Sequence, residues 1–318
     1  MIVRKNSNND NNFQMPEDYL RKDYLEKIRK YEIFRHEANN VREKDKKIIR
    51  DFFKSFSHRD ININLGVGFQ RAYGSIISGD HFELLKLTDK IFLFIFADIS
   101  GHGLPAYTTL IKLRSAIILA VKEIDGIFEK TGLIDYSNLI KNIAVKFTDV
   151  MDMSNSSDFA SVNFVFVENK NGYLKFRFYN RSMLFPIVVR RGKDQIITFN
   201  LNNQYDIWQP NKGYLLSNEI KSLVNAESYY DTPECSFDIY QGDMIFFYSD
   251  GITEAIDSET ENKQYGEERL TQKLIESSDL PPQLVINNIF DSVYEFIGKH
   301  EYQKDDMTAV LIDLPPPF

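Results

Sequence analysis

The sequence predicts an α+β fold in which antiparallel sheets are flanked by helices. Three observations lead there. From about residue 60 onward, short runs rich in Phe, Tyr, Ile and Val show apolar alternation and are bounded by Asn, Gly or Asp. Neighbouring runs such as SVNFVFVEN and YLKFRFYN are separated by Asn171-Gly172, a dipeptide suited to a tight hairpin. The helical stretches are segregated between groups of strands instead of alternating singly with them, which argues against a regular βαβ sheet.

Taken in chain order, residues 1–19 read as a disordered leader, polar and Asn-rich without periodicity. Residues 20–56 read as an amphipathic helix: Leu20, Tyr24, Ile28, Tyr31, Phe34, Ala38, Val41, Ile48, Phe52 and Phe56 recur largely at three- and four-residue steps. Residues 21–54 hold 12 basic and 7 acidic residues with both signs interleaved, the pattern of a solvated helix face. The apolar stripe fits a regulatory or dimerisation segment that lies on the following domain or pairs with a second copy. Residues 57–318 form one domain. Its strands are expected in INLGVGF, HFELLKLT, IFLFIFAD, SVNFVFVEN, YLKFRFYN, FPIVVRR, QIITFN, MIFFYSD and MTAVLIDL, with VVRRGKDQII as a further hairpin. Helices are expected over 104–122, 136–153, 267–276 and 282–300. The stretch 200–235 is polar, weakly patterned and long for a loop, which suits a recognition role.

Composition narrows the function. A 318-residue chain with 43% hydrophobic content can build a substantial core. Its net charge of −8 argues against nucleic-acid binding through bulk charge. The single Cys235 allows no internal disulfide, and no apolar run is expected to reach the roughly 18 residues of a membrane span. A cytoplasmic protein acting on a protein or small molecule is the expectation.

Acidic residues mark the strand ends. Asp80 in SGDHFEL, Asp98 in FADISGHG, Asp250 in YSDGITEA and the pair Asp305-Asp306 in QKDDMTAVLI each abut an apolar run. A strand end can aim a carboxylate into a cleft while the sheet holds its backbone, and Gly251 lets the chain turn away. Taken singly, each Asp is best explained as a turn or a helix cap. As a set they would repel one another unless cations neutralise them, and hard oxygen ligands suit Mg²⁺ or Mn²⁺.

Rival chemistries lack their residues. Cys235 has Gln241 six positions on, where a cysteine phosphatase loop carries Arg, and no Walker-type loop ends in Lys-Ser or Lys-Thr. The His58-Arg59-Asp60 triplet has neither a glycine-rich loop nor a strand lysine before it, so it is a chance imitation of a kinase loop. The histidines show no zinc spacing, and His102 reads as a turn or helix-start residue with a supporting role beside the acids as the alternative.

In this order and spacing, SGDHFEL, FADISGHGLPAYTTLIKLRSAI, GDMIFFYSDGITEA, QYGEERL and DDMTAVLI resemble the metal-dependent, protein phosphatase 2C-like serine/threonine phosphatases of the bacterial stage II sporulation protein E type. The resemblance covers about residues 60–314. It implies a β-sandwich of two antiparallel sheets with helices on both outer faces, and two divalent ions, Mn²⁺ or Mg²⁺. Carried over, Asp80, Asp98, the main-chain carbonyl of Ile99, Asp250 and Asp305 would hold the metals, with Asp306 sharing or replacing the role of Asp305. The implied reaction is hydrolysis of phosphoserine or phosphothreonine by metal-activated water, without a phosphoenzyme. The implied substrate is a STAS-type anti-sigma-factor antagonist in a partner-switching pathway. The alternative is a catalytically weak phosphatase-fold module that binds a signalling partner. Ser78, His81 and Glu83 depart from the usual first motif, and NRSMLFP, residues 180–186, replaces the family's Asn-Ala-Gly-His stretch.

Overall fold

The computed structural model describes residues 62–316 except 76, 102, 132, 155, 171, 192–211, 258–262 and 299–302. The expected leader, the 20–56 helix, the QIITFN strand and His102 lie outside the described residues. The strands are β1 (Asn64–Gln70), β2 (His81–Lys86), β3 (Ile91–Ile99), β4 (Ala160–Asn169), β5 (Tyr173–Arg181), β6 (Ile187–Arg190), β7 (Glu234–Tyr240), β8 (Asp243–Tyr248) and β9 (Met307–Asp313). The helices are α1 (Leu104–Thr131), α2 (Tyr136–Met153), α3 (Asn218–Leu223), α4 (Ala226–Tyr230), α5 (Asp250–Thr253), α6 (Gly266–Glu276) and α7 (Pro282–Ile297).

Two antiparallel sheets face each other, in the orders β1-β9-β8-β6 and β2-β3-β4-β5-β7. The period-2 alternation of a strand explains the layering. On β3, Phe92, Phe94 and Phe96 join the core between the sheets, while Leu93, Ile95, Ala97 and Ile99 join a second core beneath α1 and α2. Both faces of β3 are therefore buried, which is why its sequence is an unbroken apolar run. Across the sandwich Phe94 meets Phe247 edge-on at 4.8 Å between ring centroids. On β8 and β9 the parity repeats: Ile245, Phe247, Val310 and Ile312 point inward, and Met244, Phe246, Ala309 and Leu311 pack under α6 and α7. Burial of each such Phe or Ile stabilises the fold by about 1.5–3 kcal/mol before chain entropy is counted.

The β4–β5 hairpin forms as expected, with Asn169 opposite Leu174 and Gly172 at φ 122°. Other elements differ from expectation. Strand β7, within the stretch ECSFDIY, pairs with β5 at the sheet edge. Its alternating polar residues and its place at the end of a polar region hid it. The 212–232 segment carries the short helices α3 and α4, too brief for periodicity to reveal. Helix α1 continues to Thr131, past the expected end at Lys122. Its 104–124 part is long and apolar enough by length and composition to cross a bilayer, contrary to the sequence expectation. In the fold, its Leu113, Ala116, Ile117 and Ala120 pack on the sheet.

Candidate metal centre

The acidic residues singled out in the sequence gather at one end of the sandwich, because four strand-end loops meet there. Asp80 immediately precedes β2, Asp98 is the penultimate residue of β3, Asp250 opens the turn after β8, and Asp305 and Asp306 lead into β9. Alternation sets Asp98 on the inner face with Phe94 and Phe96, and Asp306 on the inner face with Val310 and Ile312. The sheets therefore deliver carboxylates toward one another.

Asp306 acts as a latch. Its Oδ1 accepts from the Ala72 amide at 2.9 Å and its Oδ2 from the Gly79 amide at 2.8 Å, and the side chain is buried. The loop before β9 thereby fixes the loop that carries Asp80. Asp305 has a different setting: it is exposed, and its Oδ1 accepts from the Asp306 amide at 2.7 Å. Ser249 reinforces the junction, its hydroxyl donating to the Asp306 carbonyl at 3.2 Å and accepting from the Thr308 amide at 2.9 Å.

Two glycines allow close approach here. A Cβ on Gly79 would lie 2.6 Å from the Ile99 carbonyl oxygen and 2.7 Å from that of Gly101. A Cβ on Gly251 would lie 2.1 Å from the Asp306 carbonyl oxygen. Gly251 sits inside α5 without a positive φ, so its role is close packing and not the sharp turn expected from the sequence.

The electrostatics are one-sided. Burial pushes the Asp98 carboxyl up to about 8, assisted by the negative charges of Asp250, Asp305, Asp306 and Glu254. Asp80 is likewise pushed well above its ordinary value by burial, then by Asp98 and Asp306, with the Ser249 and Thr308 hydroxyls opposing. Its Oδ2 is buried with no hydrogen-bond partner, so those hydroxyls lie near the carboxyl without satisfying that atom. Asp250 is raised by burial and by Glu254. Among the described residues no set of three or more His, Cys, Asp or Glu side chains is gathered closely enough to hold a metal ion as it stands. The carboxylates are near enough to raise one another's proton affinity. The orphaned Asp80 oxygen and the all-oxygen donor set fit a hard divalent cation.

Some sequence features serve other ends. Glu83, opposite Ile95 on the helix-facing side of β2, takes Arg114 of α1 through two hydrogen bonds of 2.9 and 2.7 Å, with His81 at 3.3 Å. Burial would raise its carboxyl, but His81 and Arg114 outweigh it and hold it at about 2. Glu83 is thus an anchor between β2 and α1. In NRSMLFP, Asn163 donates to the Leu184 carbonyl at 2.7 Å, and Asn180 bonds both the amide and the carbonyl of Met183. Ser182 there adopts φ 58°. Glu254 was missed in the sequence, although it lies four residues after Asp250, a spacing that places both on one face of a helical turn.

The arrangement of these sheets and helices recurs in solved structures. The SiaA-PP2C domain of Pseudomonas aeruginosa superimposes with a TM-score of 0.61 at 14% identity, over 92% of this chain and 98% of that one. The fold is that of the PP2C-type phosphatase domains. The SpoIIE phosphatase domain of Bacillus subtilis, with a fragment of its regulatory domain, matches the same PP2C-type fold with a TM-score of 0.57 at 18% identity, over 81% of this chain and 64% of that one. The RsbU and RsbW domains of a Mycobacterium tuberculosis protein give 0.52 at 16% identity, covering 81% of this chain and 61% of that one. The family profile for Stage II sporulation protein E (SpoIIE) matches residues 216–315, the part of the PP2C-type fold that contains Asp250, Asp305 and Asp306. No curated protein matches the chain.

Proposed function

We propose that this protein is a Mn²⁺- or Mg²⁺-dependent protein serine/threonine phosphatase acting in the cytoplasm. The observation that carries the reading is the convergence of Asp98 with Asp80, Asp250, Asp305 and Asp306 at one end of a PP2C-type sandwich, charged alike and buried enough to raise Asp98 to about 8. Asp80, Asp98, Asp250 and Asp305, with the Ile99 carbonyl, would hold the ions. Asp306, with both oxygens committed to amides, would position the Asp80 loop instead. Bound divalent ions would supply positive charge for the phosphoryl oxygens and lower the pKa of water. The protein's part is to fix the carboxylates on strand ends, where the Gly79 and Gly251 contacts hold the loops in register. The resemblance to the stage II sporulation protein E type supports a STAS-type phosphoprotein as substrate, and residues 20–56 as a regulatory or pairing segment of a 57–318 phosphatase domain.

Hydrolysis of p-nitrophenyl phosphate with Mn²⁺, against Asp98→Asn and Asp250→Asn, tests the reading. Metal-dependent turnover that both variants lose is the expected outcome. Absence of turnover in saturating Mn²⁺, or full activity in either variant, refutes it.

A further inference from the structure

Arg181, the last residue of β5, is fully buried, and its guanidinium is only partly used. Strand alternation sends Phe176 and Phe178 into the core between the sheets and sets Tyr179 and Arg181 on the opposite, helix-facing side. Nη1 donates to the Tyr229 carbonyl at 2.7 Å and to the Thr232 hydroxyl at 3.0 Å, and the guanidinium carbon stands 5.0 Å from the centroid of the Tyr229 ring. These contacts fix the plane of the group. Nε and Nη2 are buried with no hydrogen-bond partner among the described residues. The hydroxyl of Tyr229 is engaged elsewhere, with the amide and the carbonyl of Ser217 at 2.9 and 3.1 Å.

The two unused nitrogens form one functional edge. Nε–H and one Nη2–H project side by side, and this is the edge that takes both oxygens of a carboxylate or two oxygens of a phosphate. A buried guanidinium keeps its proton, so the charge itself has to be met, and an unpaired buried charge is costly. Burial pulls its proton affinity below the ordinary value, and Asp231, the carboxylate that opposes this, is exposed. No carboxylate among the described residues bonds to Arg181.

Residues 212–232 cover the group. Gly213 forms a parallel bridge with Arg181, and its amide donates to the Asn180 carbonyl at 2.8 Å. A Cβ on Gly213 would meet the Arg181 Cδ at 3.1 Å and Nη1 at 3.3 Å, so glycine lets the chain cross directly over the side chain. The cover is anchored by buried Leu216 and Tyr229, whereas α3 buries none of its residues. A segment held at so few points opens locally at low cost, which gives a small ion a way in. The site lies two strands, about 10 Å, from Asp98 and on the other face of the sheet, so it is separate from the acidic centre.

We propose that Arg181 binds a small oxyanion, a carboxylate or inorganic phosphate, through Nε and Nη2 beneath the 212–232 segment. The ion supplies the missing counter-charge and steadies the guanidinium that holds Tyr229 and Thr232.

The test uses the full chain in EDTA, with acetate, phosphate and chloride as probes at matched ionic strength. Acetate or phosphate is expected to raise the Tm by about 2–4 °C at ten times its Kd, with chloride without effect, and the more effective of the two identifies the class of ligand. Arg181→Lys keeps the charge but lacks the two-pronged edge, so it should lose that rise. Should this variant fail to fold, the wild type labelled with ¹⁵N-arginine carries the test: one exchange-protected Nε–H signal should shift with the same anion and the same midpoint. Ion chromatography of desalted, then unfolded protein detects an ion retained through purification, and one oxyanion per chain supports the proposal even without a Tm rise. An equal rise with all three salts, a rise kept in Arg181→Lys, an Nε–H spectrum unmoved by the anion that raises the Tm, or no rise together with no stoichiometric oxyanion released overturns it.

Discussion

Replacing Gly251 with Ala adds one methyl group where the structure has no room for it. The new Cβ would stand 2.1 Å from the Asp306 carbonyl oxygen, 2.9 Å from its carbon and 3.3 Å from the Asp305 Cβ. The nearest obstacle is backbone, so no side-chain rotation relieves it. Restoring even a tight 3.0 Å contact requires α5 and the 305–306 loop to separate by roughly 1 Å, an overpacking that costs about 1–3 kcal/mol. The same displacement moves Asp250 away from Asp305, and a 1 Å error in a catalytic constellation can cost about 100-fold in rate. Gly251→Ala should therefore lower the Tm by several degrees and Mn²⁺-dependent hydrolysis of p-nitrophenyl phosphate by about two orders of magnitude. Calorimetry and steady-state kinetics on the same preparation measure both. Unchanged Tm and turnover would refute the close-packing argument, and a lowered Tm with full turnover would show that this contact stabilises without positioning.

Asp306→Asn replaces a carboxylate that accepts from two amides with a group that can accept from only one, leaving a buried N–H unsatisfied at a cost of about 1–3 kcal/mol, readable in urea unfolding. Asp98 holds its proton more tightly folded than unfolded, so metal-free stability should fall as the pH rises from about 4 to about 8; Asp98→Asn should flatten that slope in pH-dependent melts and abolish the Mn²⁺-induced rise in Tm. Glu83 is held at about 2, so its contribution is full above its unfolded value near 4.5 and disappears as the pH falls toward 2. Glu83→Gln should remove that acid-side dependence, at a cost near neutral pH of only about 0.5–1 kcal/mol because Arg114 is partly in solvent.

Phe-, Ile- and Val-rich runs bounded by turn residues made β3, β4, β5, β8 and β9 legible, since strands between a partner sheet and a helix layer bury both faces. That Asp98 shares the inner face with Phe94 and Phe96 follows from the strand's parity once the core between the sheets is known. Other parts were hidden for identifiable reasons. Strand β7 alternates with polar residues because its outer side is half in water, so composition masked it. Helices α3 and α4 are shorter than two helical turns and leave no periodic trace. The distinction between Asp305 and Asp306 depends on which carboxylate faces the Ala72 and Gly79 amides, residues more than two hundred positions earlier. Nothing local in Asp-Asp encodes that. The acidic set is visible as a set, but Glu254 abuts no apolar strand end and joins the set only because Asp250 opens the same turn.

The latch between Asp306 and the loop before β2 also fixes a chronology. Among the described residues, strand β1 pairs in its sheet only with β9, Asn64 facing Asp313 and Gln70 facing Met307. A nascent chain emerging from the ribosome can complete β2 to β5 and bury β3 beneath α1 and α2, yet β1 must wait unpaired until residues 307–313 have been synthesised. Sequence separations of this size slow folding, because a long loop must close before any contact repays its entropy. The Asp80 loop thus receives its anchor only after translation has passed residue 306, so a partly made chain has no completed acidic centre with which to meet a partner.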